Sequence, residues 1–106
     1  MSSALDELFA TIASRKGSDP TQSYTAKLLA AGVETCAKKF GEEATEAVIA
    51  AIQKDKGELA KESADVLYHL LVLWAASGIT PDNVYAVLKA RESQSGLEEK
   101  ASRPKG

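Results

Sequence analysis

KKFGEEATEAVIAAIQ (residues 38–53) and, nine residues on, ESADVLYHLLVLW (62–74) decide how this chain is read. Both carry apolar residues at helical spacing, and the polar stretch KDKG (54–57) between them is short. Two helices joined by so short a loop run antiparallel, so the middle of one faces the middle of the other. At about 100° per residue, Glu42, Glu43 and Glu46 share an arc of roughly 100° on the first helix. On the second, Val66 and Leu73 project within about 40° of Glu62, with Val72 beside Asp65, so these two acids point where apolar side chains point. From 64 to 76 the helix is apolar nearly all round except for Asp65 and His69, which predicts burial on several sides.

Glutamates on a helix are ordinarily solvated surface. That reading weakens for Glu62 and Asp65, because an ionised carboxylate on an apolar face is costly unless paired, protonated or bound to a metal. The antiparallel turn brings the two acidic groups towards each other. Carboxylate oxygens without cysteine or a histidine pair select hard cations, Mg²⁺ or Mn²⁺ rather than Zn²⁺. An open carboxylate cup leaves coordination positions for water and phosphate oxygens.

Outward from these helices the helical signals continue. Residues 4–15 form a first helix capped by Ser3, with Leu5, Leu8, Phe9 and Ile12 as its buried stripe and Gly17 as its stop. GSDPTQSY is a loop, 24–31 a short helix broken at Gly32, 33–53 a long helix, and 58–77 another, ending at Gly78. Thr80 and Pro81 open a last helix to about residue 93. Gly41, inside the long acidic helix, predicts a bend or a close approach. The fold expected is an all-α bundle of four or five helices in one domain, residues 1–93, followed by a loose polar tail over 94–106.

With 106 residues such a domain has a thin core, and dimerisation through apolar surface is expected. The net charge is -2, and setting aside the five acids leaves +3 for the rest. An acidic spot in a mildly basic shell suits a metal-bound polyphosphate better than a nucleic-acid duplex, for which a continuous basic stripe is expected, so no nucleic-acid partner is expected. No apolar run is long enough for a membrane span, no secretory signal opens the chain, and the single cysteine, Cys36, cannot form an internal disulfide. A cytoplasmic protein is expected. Cys36 reads as a small buried residue, and His69 as a hydrogen-bonded core histidine. A di-iron bundle is excluded, because it needs Glu-x-x-His on two helices and the chain has one histidine.

Glu42-Glu43-x-x-Glu46 followed by Glu62-x-x-Asp65 resembles the signature of the all-α nucleotide pyrophosphohydrolases, the MazG-like superfamily. SYTAKLLAAG (23–32), KKFGEEATE (38–46) and ESADVLYHLLVLW (62–74) narrow the likeness to the phosphoribosyl-ATP pyrophosphohydrolases, over about residues 3–93. This resemblance implies a homodimer that uses Mg²⁺ to cleave phosphoribosyl-ATP to phosphoribosyl-AMP and pyrophosphate, the second step of histidine biosynthesis. A house-cleaning pyrophosphohydrolase for nucleoside and deoxynucleoside triphosphates is the alternative. Carried over, Glu42, Glu43, Glu46, Glu62 and Asp65 become metal ligands, with Glu43 and Glu46 the catalytic carboxylates. Glu43, angularly offset from Glu42 and Glu46, is the expected base for the attacking water. Tyr24, Thr25 and Lys27 are expected to contact the phosphoribosyl end, and Lys39 either holds a phosphate or pairs with Glu43.

Overall fold

The computed structural model describes residues 3–92, and the polar tail expected over 94–106 lies outside them. Five helices follow one another, with no strand among the described residues. Ser3 opens α1 (Ala4–Ser14) with a capping box: its hydroxyl accepts from the Asp6 N–H at 3.1 Å, and the Asp6 carboxylate accepts the Ser3 N–H at 3.2 Å. That backbone donor, more than any other group, holds the Asp6 carboxyl below the ordinary carboxylate range. After the loop, the Ser23 hydroxyl accepts from the Ala26 N–H and starts α2 (Tyr24–Ala31). Gly32, at φ 98, then turns the chain directly into α3 (Val33–Ile52).

Helix α3 runs unbroken through Gly41, and a Cβ built there would meet nothing. No close approach at Gly41 is found among the described residues of the subunit. At the end of α3 the Lys54 N–H returns to the Ala51 carbonyl and the Asp55 N–H to that of Ala50, with Lys54 in the left-handed region at φ 59. This is the turn that glycine usually serves. Asp55 then accepts from the Glu58 N–H at 3.0 Å and caps α4 (Lys56–Ser77). The helix therefore begins two residues earlier than 58, because the aspartate of KDKG is a cap rather than loop. Gly78, at φ 80, stops α4. Thr80 and Asn83 bond each other's backbone N–H groups to open α5 (Pro81–Glu92), which departs at 110° from α4.

Helices α3 and α4 form the main antiparallel pair, and α1 and α2 pack across α4. The core is small: Ile12, Leu28, Cys36, Leu71 and Val72, surrounded by Leu5, Phe9, Tyr68 and Trp74. Burying a side chain such as Leu71 contributes about 1.5–3 kcal/mol. Cys36 donates its thiol hydrogen to the Leu28 carbonyl, and burial pushes that thiol's pKa up, so it is an unreactive core residue. Burial of α4 on several sides holds only from His69 onward, since Ala64, Asp65 and Leu67 are exposed. Val48 and Ile52 on α3 are also exposed, Ile52 at 74%. Among the described residues no single helix is long and apolar enough to cross a membrane.

Candidate active site

The antiparallel pairing of α3 and α4 brings Glu43 to Glu62 and Asp65, so that one carboxylate oxygen from each lies within 4.8 Å of the others. Glu43 and Glu62 are partly buried and Asp65 is exposed. Among the described residues no lysine or arginine forms an ion pair with these three carboxylates. Partial burial raises the Glu62 pKa above the ordinary glutamate value, followed by hydrogen bonding towards Glu58 and then by the charges of Asp65 and Glu43. Three acids without a cation are thus arranged against their own repulsion. Their donor set is all carboxylate oxygen, which fits a hard divalent cation.

Glu42 and Glu46 stand outside this group. Glu42 is exposed and pairs with Lys39 at 3.5 Å, so Lys39 serves Glu42 rather than Glu43. Glu46 is exposed one helical turn beyond Glu43, a separation at which Cβ atoms lie roughly 5–6 Å apart. The carboxylate that meets α4 is therefore Glu43, the one its angular offset had marked as the expected base for the attacking water. Spacing fixes the angles among the three glutamates; how far α3 is rotated against α4 it leaves open.

Tyr24, Thr25 and Lys27 lie at the head of α2, away from α3's acids in sequence but tied to α4. The Thr25 hydroxyl bonds the Tyr68 hydroxyl at 2.5 Å, and the Tyr24 hydroxyl meets His69 Nε2 at 3.4 Å. Burial raises the Tyr68 pKa, partly offset by Thr25. An open cleft of about 520 Å³ is lined by Pro20, Thr21, Gln22, Ser23, Tyr24 and Lys27. The sequence reasoning did not join Tyr68 to Thr25 and passed over Glu58, which hydrogen-bonds towards Glu62. The signals were present: a glutamate four residues before Glu62, and a tyrosine and histidine side by side within an apolar run.

Fold and site together define an all-α protein with an acidic, cation-suited cluster between two antiparallel helices and a polar cleft at the head of a third. The family profile of phosphoribosyl-ATP pyrophosphohydrolase matches residues 5–92. The chain is 58% identical to a protein of Ruegeria pomeroyi named phosphoribosyl-ATP pyrophosphatase, over 98% of this chain and 99% of the relative. Proteins of the same name from Parvibaculum lavamentivorans and Cereibacter sphaeroides are 61% and 60% identical, covering 95% and 93% of this chain and 93% and 96% of the relatives. The chain belongs to the phosphoribosyl-ATP pyrophosphohydrolase family.

Proposed function

We propose that this protein hydrolyses 1-(5-phosphoribosyl)-ATP to 1-(5-phosphoribosyl)-AMP and pyrophosphate with Mg²⁺, the second step of L-histidine biosynthesis, in the cytoplasm. The observation that carries the reading is the convergence of Glu43, Glu62 and Asp65 in a chain of this family. Bound there, Mg²⁺ or Mn²⁺ would neutralise charge on the phosphate oxygens as the anhydride bond between the α- and β-phosphates breaks. Glu43, Glu62 and Asp65 would hold the cation, with Glu42 and Glu46 at the rim of the cluster. Glu46 is better suited than Glu43 to take the proton from the attacking water, because a carboxylate engaged with a cation is the weaker base. Lys27 and Lys39 supply positive charge to the phosphates, and Tyr24 and Thr25 meet the phosphoribosyl end.

The catalytic unit is one domain, residues 1–93, working as a homodimer. Supporting this, the radius of gyration is 15.9 Å, against about 13 Å for a compact chain of such length. Val48, Ile52 and Leu67 remain uncovered on the α3–α4 pair, an apolar surface that a second copy would bury.

The test is pyrophosphate release from phosphoribosyl-ATP, ATP and a deoxynucleoside triphosphate, with Mg²⁺ and with chelator. Selective, chelator-sensitive cleavage of phosphoribosyl-ATP is expected. Cleavage of deoxynucleoside triphosphates alone would favour the house-cleaning alternative, and no release from any of them would overturn the enzymatic reading.

A further inference from the structure

His69 is 6% exposed, and both of its ring nitrogens have partners. Nδ1 lies 2.9 Å from the backbone carbonyl oxygen of Asp65, one turn back on α4. A carbonyl oxygen only accepts, so Nδ1 carries the hydrogen, and in the neutral ring Nε2 then offers a lone pair. The Tyr24 hydroxyl, 3.4 Å from Nε2, is consequently the donor of that pair. The Tyr68 ring packs edge-on against the imidazole with centroids 4.9 Å apart, and Tyr68 is itself bonded to Thr25. Two consecutive residues of α4 thus hold two consecutive residues of α2.

Tyr24 is 52% exposed at the lip of the cleft that also contains Lys27. Pinning a half-exposed ring adds little to the core; its effect is to remove a rotamer cost that a ligand would otherwise meet. With its hydrogen committed to His69, the Tyr24 oxygen turns only lone pairs towards the cleft. It can accept from a sugar hydroxyl and cannot donate to a phosphate, which leaves phosphate to Lys27.

We infer that His69 is a positioning residue for the substrate cleft: the Asp65 carbonyl locks it in the Nδ1–H tautomer, and its Nε2 holds the Tyr24 hydroxyl as an acceptor for a ribose hydroxyl. The identity of the ligand rests on the proposed pyrophosphohydrolase reading; the clamp itself does not. With both nitrogens engaged, His69 is neither a cation ligand nor a base for water.

Two measurements on the full chain test it. Multiple-bond ¹H–¹⁵N NMR of the imidazole is expected to show the Nδ1–H tautomer; an Nε2–H ring would overturn the clamp. In kinetics with phosphoribosyl-ATP and Mg²⁺, Tyr24→Phe and His69→Asn are each expected to raise KM roughly three- to tenfold with kcat little changed. The double variant should be no worse than either single one. His69→Gln, whose amide oxygen reaches the place of Nε2, should recover most of the loss that His69→Asn causes. Multiplying effects in the double variant, or no recovery by glutamine, would overturn the positioning role. A native chain that fails to release pyrophosphate would instead overturn the functional reading, and the tautomer would still decide the clamp.

Discussion

Helix α4 is two helices in physical terms. Its second half, around His69, Leu71 and Val72, is enclosed by α1 and α2 and carries the core. Its first half mixes Leu59, Ala60, Ala64 and Val66 with lysines and acids, and there Asp65 and Leu67 are exposed and Glu62 is only partly covered. The second half stabilises the fold, whereas the first holds carboxylates whose mutual repulsion is unrelieved by any lysine or arginine among the described residues. Core packing and the carboxylate cluster are separated along one helix by about one turn.

The largest effect that would break this division is catalytic. Glu62→Gln keeps the shape of the cluster while removing a charge, and is expected to lower kcat by about 10²- to 10³-fold without unfolding the protein. Leu71→Ala should do the reverse, losing about 2–5 kcal/mol in chemical denaturation. With a folded fraction restored by lower temperature, its kcat should stay near the native value. A Glu62→Gln protein that unfolds, or a Leu71→Ala protein as stable as native, would show that the two halves are not distinct.

The pH dependence sharpens the contrast. Because the folded-state pKa of Glu62 is raised, its contribution to stability is full below the ordinary glutamate value of 4.5 and is lost as pH rises through the higher folded value. At pH 7 in chelator, Glu62 therefore contributes less stability than it does below pH 4.5, and Glu62→Gln is expected to melt above the native chain. Below pH 4.5 the gain should fade. Mg²⁺ at pH 7 should raise the melting temperature of the native chain more than that of Glu62→Gln. A difference between the two proteins that is the same at every pH would sink this account.

Smaller effects lie on α3, beside the acidic half. Gly41 occupies an open helical position and Lys54 a left-handed one, each where the other's residue type would be favoured. Gly41→Ala is expected to stabilise by about 1 kcal/mol. Lys54→Gly should stabilise by about 1 kcal/mol by relieving the left-handed backbone. Equilibrium urea denaturation checks both, and destabilisation by Gly41→Ala would mean that something packs against that surface in solution.

Much of this was legible from short-range chemistry. Ser3, Gly17, Gly32, Gly78 and Pro81 mark helix ends by hydrogen-bond supply and permitted φ, which are local properties. Asp55 carried the same signal for the start of α4 and was obscured by its lysine and glycine neighbours. What the residues could not reveal is relative rotation and cover. Glu43, Glu42 and Glu46 are fixed to one another by 100° steps, yet which of them meets Glu62 depends on how α3 rolls on α4. Likewise the apolar character of Val48 and Leu67 does not say that the subunit's own helices leave them exposed. The bond between His69 and Tyr24 spans 45 positions, a distance that no helical period encodes.

Asp65 contributes two groups that respond differently to substitution. Its carboxylate joins Glu43 and Glu62, while its backbone carbonyl receives the His69 ring. Codon changes rewrite the first and leave the second in place, since every amino acid brings the same carbonyl. A substitution at this position therefore alters the carboxylate cluster while leaving in place the carbonyl oxygen that receives the His69 ring.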